Sequence, residues 1–108
     1  MEFSETLDMY RNIVRRFAKI EGKPWGVEGG MMELSKQVGE LSKCVMLQEN
    51  YYCFPAENPE ENLIKIGNEL ADVFGQIIRI ADYYNIDLLE AHIAAREDED
   101  NYLKGKGV

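Results

Sequence analysis

Residues 58–84, NPEENLIKIGNELADVFGQIIRIADYY, decide the fold of this chain. Asn58 can cap a helix, Pro59 fits its first position, and the two glutamates that follow suit the positive end of the helix dipole. Apolar residues then recur at steps of three and four as far as Tyr84, which is the spacing of an α-helix packed along its length. The sequence therefore predicts a helix over residues 59–84.

The apolar pattern of this helix is wider than one packing face requires. One stripe of strict three- and four-residue spacing contains Leu63, Ile66, Leu70, Val73, Ile77 and Ile80. A second stripe beside it contains Ile64, Ala71, Phe74, Ile78 and Ala81. A helix that is apolar over so much of its circumference is buried on more than one side, and a monomer would expose Phe74 and Ile78 together. We therefore expect a homodimer or a homotetramer.

The rest of the chain predicts three more helices and no strand. Apolar residues at helical spacing mark these helices at about residues 4–20, 31–49 and 88–104. Gly22 and Pro24 end the first helix, and Asp87 caps the last. Four amphipathic helices with short connections predict an all-α, four-helix bundle-like fold in a single domain over residues 1–108, assembled into a helical oligomer.

The overall charge restricts the partners that this chain can bind. Twenty acidic residues against 12 basic ones give a net charge of −8, which repels nucleic acid at long range. No apolar run approaches the roughly 20 residues of a membrane-spanning helix, and the acidic, amphipathic start is unlike a secretory leader. We expect a cytoplasmic protein that binds neither nucleic acid nor membrane. An acidic chain can still bind a phosphorylated small molecule when divalent cations lie between carboxylates and phosphates.

Two groups of polar residues lie on the second and third predicted helices and border the apolar stripes. They are Glu33, Gln37 and Glu40 on one helix and Glu69 and Asp72 on the other. Residues three or four positions apart share a helix face, so antiparallel helices would bring Glu40, Glu69 and Asp72 together. Such carboxylates repel unless a cation joins them, and a set of oxygen ligands suits Mg²⁺ or Mn²⁺. The alternative is an ordinary solvated face, because acidic residues are common throughout this chain.

The residues of this candidate site also resemble a known family. The sequence VGEL at residues 38–41, followed by NELAD at residues 68–72, is similar to the MazG-like branch of the all-α nucleoside triphosphate pyrophosphohydrolases. That family carries E-E-x-x-E on one helix and E-x-x-D on the next, and the resemblance covers roughly residues 30–104. It implies that Glu40, Glu69 and Asp72 are magnesium ligands.

The chain departs from the family motif at its first two positions. Lys36 and Gln37 stand where the motif has adjacent glutamates, and Gln37 occupies the place of an expected metal ligand. A glutamine amide can offer one neutral oxygen to magnesium, but it lacks the charge and the two-oxygen binding of a carboxylate. Cation affinity should therefore be lower, and Glu33, one turn upstream, can partly compensate.

The resemblance implies hydrolysis of a (deoxy)nucleoside triphosphate to a monophosphate and pyrophosphate, with Mg²⁺ or Mn²⁺ as the cofactor. Glu33 and Glu40, at the edge of the metal site, would orient the attacking water and accept its proton. Arg96 and Lys104 resemble the basic tail that meets phosphates in relatives, and Trp25 can stack on the base.

Several alternatives remain open from the sequence. Arg96 and Lys104 are equally well explained as solvated helix charges, and a lone tryptophan such as Trp25 often covers the edge of a core. Because of Lys36 and Gln37, the chain can also be a weakened relative that binds nucleotide or a protein partner without efficient hydrolysis. A helical interaction module without any nucleotide site is the third hypothesis.

Overall fold

The computed structural model describes residues 1–108 and contains four α-helices and no strand. The helices are α1 (Phe3–Phe17), α2 (Val27–Gln48), α3 (Pro59–Tyr83) and α4 (Leu88–Gly105). The prediction of an all-α helical bundle is confirmed. None of the four helices combines the length and the apolar character needed to cross a membrane.

The predicted capping residues begin α3 and α4. The side-chain Oδ1 of Asn58 accepts hydrogen bonds from the backbone N–H groups of Glu60, at 3.1 Å, and Glu61, at 3.2 Å. Asp87 Oδ1 accepts one from the N–H of Glu90 at 3.0 Å. Each bond satisfies a backbone donor that has no partner inside the helix, so both starting points are fixed by local sequence.

The second helix begins earlier than predicted, at Val27 instead of residue 31. Gly29 and Gly30 lie inside the helix and face other parts of the chain. A Cβ atom at Gly29 would lie 3.4 Å from the side chain of Trp25, and one at Gly30 would lie 3.6 Å from Ile80. The glycines that indicated a loop are therefore contact positions of α2, and the expected boundary was wrong for that reason.

The first helix ends at Phe17, three residues before the predicted end. The N–H groups of Lys19 and Ile20 bond to carbonyls three residues back, at 3.2 and 2.9 Å, instead of four. The chain therefore leaves α1 through tight turns before it reaches Pro24.

The α2 and α3 helices form an antiparallel hairpin. Near the start of α3, the buried Asn62 donates hydrogen bonds of 2.8 Å to the carbonyl of Cys44 and of 2.8 Å to Oε1 of Gln48, which lie near the end of α2. At the opposite end of the hairpin, Gly30 packs beside Ile80. The start of each helix therefore meets the end of the other.

The α1 helix runs parallel to α3. The centroids of the Phe3 and Phe74 rings are 6.1 Å apart. Further along both helices, Arg11 donates two hydrogen bonds to the carboxylate of Asp82, at 2.8 and 2.9 Å. The same order of contacts along both helices gives their common direction.

The core inside one chain is small. Its buried apolar side chains are Leu7, Ile78 and Ala81. Ile78 is only 2% exposed, so the expectation that it faces another subunit was wrong. Ile78 lies between Gly75 and Asp82, on the side of α3 that α1 covers. Phe74 remains 39% exposed, as expected for the second stripe.

The α4 helix projects from the other three helices. Every residue from Leu89 to Val108 is exposed. The radius of gyration is 17.5 Å, whereas a compact chain of this length has one of about 13 Å. The chain is therefore extended, with maximal dimensions of 48 × 46 × 29 Å.

Replacing Asn62 with alanine should destabilise the fold by about 1–3 kcal/mol, because the change leaves the Cys44 carbonyl and the Gln48 amide without their buried partner. Asn68→Ala, at an exposed position of the same helix, is the matched control and should change stability by less than about 0.5 kcal/mol. Urea unfolding of both variants measures the difference. Equal stability of the two variants would contradict the assigned role of Asn62.

Candidate functional site

The register of the hairpin brings the two polar groups of the sequence to the same level. Gly30 lies beside Ile80, and in an antiparallel pair each step forward along α2 matches one step back along α3. Gln37 therefore lies opposite about residue 73, within one turn of both Glu69 and Asp72. The middle of the hairpin thus carries polar residues from both helices at the contact between them.

The charges of the carboxylates act on one another across this contact. Burial raises the pKa of the Glu69 carboxyl, and the negative charges of Glu40 on α2 and Asp72 on α3 raise the pKa further. The positive charge of Lys36 acts in the opposite direction and lowers it. Glu40 and Asp72 are therefore close enough for their charges to act on Glu69, and the gathering of the three carboxylates around one cation stays a prediction.

Two oxygens in this region are buried without a hydrogen-bond partner, Oε1 of Gln37 and Oε2 of Glu69. Nε2 of Gln37 donates a 2.9 Å hydrogen bond to Oε1 of Glu33, which turns the amide oxygen away from that contact. An unpaired buried oxygen costs free energy, and an oxygen-binding cation would remove that cost.

The donor set fits Mg²⁺ or Mn²⁺, since it consists of carboxylate and amide oxygens. No three Asp, Glu, His or Cys side chains of the chain are gathered at distances suited to holding a metal ion. A cation at this contact would therefore have to draw the carboxylates together and offset their mutual repulsion. Glu40, Glu69, Asp72 and the oxygen of Gln37 are the residues that would hold it.

Glu33 is already engaged inside α2. Its Oε1 accepts the hydrogen bond of Gln37 and lies 3.3 Å from Nζ of Lys36. Glu33 therefore holds the Gln37 amide in one orientation, in addition to the catalytic role predicted for it. Glu40, the other predicted catalytic residue, is exposed and free to meet solvent or substrate.

Trp25 lies next to this region, as its predicted role in substrate binding requires. Trp25, Glu33 and Lys36 line a common groove of about 740 Å³. The guanidinium carbon of Arg79 lies 4.6 Å from the centroid of the Trp25 ring, in a cation–π contact. One face of the indole is therefore occupied within the chain, and Trp25 as a whole is 41% exposed.

Arg79 is a residue of this region that the sequence reasoning missed. It lies on the same face of α3 as Asp72 and Gln76, seven and three residues upstream. Its guanidinium lies 3.3 Å from a carboxylate oxygen of Glu21, and both side chains are largely shielded from solvent. Extending the polar stripe of α3 by one more turn would have identified it.

Tyr10 and Gln76 were also missed as site residues. Burial raises the pKa of the Tyr10 hydroxyl; the charge of Arg79 lowers the pKa, and those of Asp72 and Glu33 raise it. The Tyr10 hydroxyl is therefore close to both polar groups. In the sequence Tyr10 belongs to the apolar stripe of α1, so its periodicity indicated only packing.

Within one chain, the structure does not bring Arg96 and Lys104 to the carboxylates of the candidate site. Both are exposed on the projecting α4 helix and pair with acidic residues one turn away. Arg96 lies 3.0 Å from Glu99, and Lys104 lies 2.8 Å from Asp100. The interpretation as solvated helix charges describes them within one chain, because the acidic run of α4 supplies their partners.

Comparisons of the chain with protein-family models, with curated proteins and with solved structures give no match. The similarity to MazG-like pyrophosphohydrolases therefore rests on the motif residues and their spacing.

Glu69→Gln should stabilise the cation-free protein at neutral pH. The raised pKa of Glu69 means that the folded state favours the protonated carboxyl. That favourable contribution is complete below the ordinary pKa of 4.5 and is lost as the pH rises through the raised value. A glutamine keeps the shape of the side chain without the charge. The difference in stability between Glu69→Gln and wild type at pH 7 should therefore become smaller at acidic pH.

Thermal unfolding in a chelator at pH 7 and pH 4 measures this effect, with Glu57→Gln in the exposed α2–α3 connection as the control. A Glu69→Gln variant whose stability follows that of wild type at both pH values would show that the charge of Glu69 is not disfavoured in the fold.

Proposed function

We propose that this chain is a magnesium-dependent nucleoside triphosphate pyrophosphohydrolase. The observation that carries the proposal is the environment of Glu69, a buried carboxylate oxygen without a partner that is repelled by Glu40 and Asp72. A fold keeps such an arrangement at a cost in stability, which a bound divalent cation would relieve. The motif residues and the oxygen-only donor set support the same proposal.

The proposed reaction is the attack of water on a nucleoside triphosphate, giving a monophosphate and pyrophosphate. Bound Mg²⁺ would neutralise phosphate charge and acidify the attacking water. Glu40, which is exposed at the edge of the cluster, would orient this water and accept its proton. Glu33 would fix the Gln37 amide so that its oxygen stays available to the cation. The exposed side of Trp25 would receive the base.

A second candidate is a relative that binds nucleotide with little turnover. It is favoured by Lys36 and Gln37, which replace two negative charges by one positive and one neutral group. Lys36 lies 3.3 Å from Glu33, and its charge also reaches Glu69, so part of the acidic character of the site is already neutralised within the chain. Fewer cations would then bind before the substrate arrives.

The assay for the proposal is release of pyrophosphate from each nucleoside triphosphate in the presence of Mg²⁺ or Mn²⁺. Glu69→Ala should reduce the rate by roughly 100-fold or more, because it removes a proposed metal ligand. Glu97→Ala, on the exposed α4 helix, is the control and should retain the wild-type rate.

The same assay distinguishes the alternatives. Nucleotide binding without turnover, with turnover restored by Gln37→Glu, would support the weakened relative. A chain that binds no nucleotide under any of these conditions would contradict both proposals and leave the helical interaction module.

We also propose that two copies of the hairpin associate. The α2–α3 hairpin exposes a stripe on each helix: Met31, Val38 and Val45 on α2, and Leu63, Leu70, Phe74 and Ile77 on α3. On each helix, the exposed stripe is rotated by about a quarter turn around the helix axis from the face that packs within the hairpin. The direction of this rotation is the same for both helices when each is viewed from its own N-terminus. In antiparallel helices this puts both stripes on one side of the hairpin. The seven-residue spacing within them suits the shallow crossing angle of four-helix bundles.

The small core supports this proposal. Three buried apolar side chains contribute too little to offset the conformational entropy lost by a chain of 108 residues. A second hairpin on the exposed stripes would add a layer of large apolar residues from both copies. A homodimer built in this way, or a tetramer made of two such dimers, would complete the four-helix bundle. The substrates are cytoplasmic metabolites, so we propose a cytoplasmic location.

Leu70→Glu tests the proposed association. A charge at the centre of the apolar stripe should weaken self-association by roughly 100-fold or more, because it would be buried without a partner. Ile64→Glu is the matched control, since Ile64 is more exposed than Leu70 but points to another side of α3. Sedimentation velocity measures both variants. A wild-type chain that is folded and monomeric at micromolar concentration would contradict the proposal.

A further inference from the structure

Tyr10 reaches the polar stripe of α3 because residue 75 is a glycine. A Cβ atom at Gly75 would lie 2.7 Å from the Tyr10 ring, so the ring rests directly on the backbone of α3. This close approach carries the hydroxyl to the neighbouring Gln76, whose Nε2 donates a long hydrogen bond of 3.5 Å to the Tyr10 oxygen. The O–H proton of Tyr10 donates to no acceptor within the chain.

Gln76 provides a second and independent observation. Its side chain is 8% exposed, and Oε1 is buried without a hydrogen-bond partner. If the amide is turned around, Tyr10 can donate to the oxygen, but the amide nitrogen is then left without an acceptor. In either orientation one polar atom stays unpaired beside the Tyr10 hydroxyl, which costs free energy in the absence of a ligand.

The Tyr10 hydroxyl lies within reach of charges of both signs. Asp72, Glu33 and Arg79 are all close enough for their charges to act on it. Tyr10, Trp25 and Arg79 line an open groove of about 520 Å³ between α1 and α3, which Arg11 and Arg15 also line. Three arginines therefore border this groove, and two of them pair with its carboxylates, Arg11 with Asp82 and Arg79 with Glu21.

A polyphosphate chain is the ligand that suits these carboxylates, hydrogen-bond donors and arginines. One end would share a divalent cation with the carboxylates, and the rest would extend past hydrogen-bond donors towards positive charge. Trp25 lines both this groove and the groove of Glu33 and Lys36, so it forms the wall between them. A base on the exposed side of Trp25 and phosphates beside Tyr10 would fit one nucleotide.

We propose that Tyr10 is a substrate-contacting residue whose hydroxyl donates a hydrogen bond to a phosphate oxygen of a magnesium-bound polyphosphate, with the Gln76 amide beside it. This inference rests on the proposed function, because the carboxylate cluster must bind the cation that holds the phosphates. It assigns to α1, which lies outside the resemblance, part of the binding of the phosphate chain.

Tyr10→Phe is a sharp test, since it keeps the ring against Gly75 and removes only the hydroxyl. The probe is inorganic pyrophosphate with Mg²⁺, which contains the phosphate chain without a base, and calorimetry measures its affinity. We expect affinity to fall by roughly 10-fold or more and KM for a nucleoside triphosphate to rise, with the melting temperature little changed. Tyr51→Phe, at an exposed tyrosine outside this groove, should bind like wild type.

The outcomes separate the inference from the function on which it rests. If wild type and Tyr10→Phe bind magnesium pyrophosphate equally, Tyr10 serves only to pack α1 on α3, and the inference is overturned while the proposed hydrolysis stands. If wild type binds neither magnesium pyrophosphate nor a nucleoside triphosphate, the proposed function fails, and the inference fails with it.

Discussion

The antiparallel packing of α2 on α3 is the contact on which the rest of the structure depends. Hydrogen bonds from Asn62 fix one end of the hairpin, and the fit of Gly30 beside Ile80 fixes the other. Because helices are stiff, a register set at both ends also determines which residues meet in the middle. Those residues include Gln37 and Glu69, so the contacts at the two ends of the hairpin decide how closely the acidic groups of α2 and α3 approach.

The gathering of Glu40, Glu69 and Asp72 around one cation stays a prediction. Helical periodicity and capping residues correctly predicted the four helices. These features are local, since each follows from residues within a few turns of one another. The sequence did not reveal which side of α3 is covered by α1. An apolar stripe indicates that a helix face is buried, but it does not indicate which other helix packs on that face. For that reason Ile78 was expected at a subunit contact, and the placement of Tyr10 beside the polar stripe went unseen.

Lys36 and Gln37 stand where the motif of the resemblance has two glutamates, and under the proposed function they would set the balance between folding and cation binding. Two further carboxylates at this contact would add to the repulsion already felt by Glu69, and a cation would be needed to hold the hairpin together. A neutral amide and a lysine lower that repulsion, so the hairpin can form with less help from metal. Under the proposed function, the same two residues would also weaken the attraction for the cation. A residue that stabilises the metal-free hairpin at these positions would then lower the affinity for metal.

The projecting α4 helix has a consequence for the energetics of local opening. An isolated helix of 18 residues is marginal in water, and α4 adds to its backbone bonds mainly the Asp87 cap and ion pairs within the helix. Its amide protons should therefore exchange with solvent through fraying that leaves the hairpin intact. Any molecule that covers α4 would slow this exchange. The rate of amide exchange in α4 therefore shows whether a partner is bound to it.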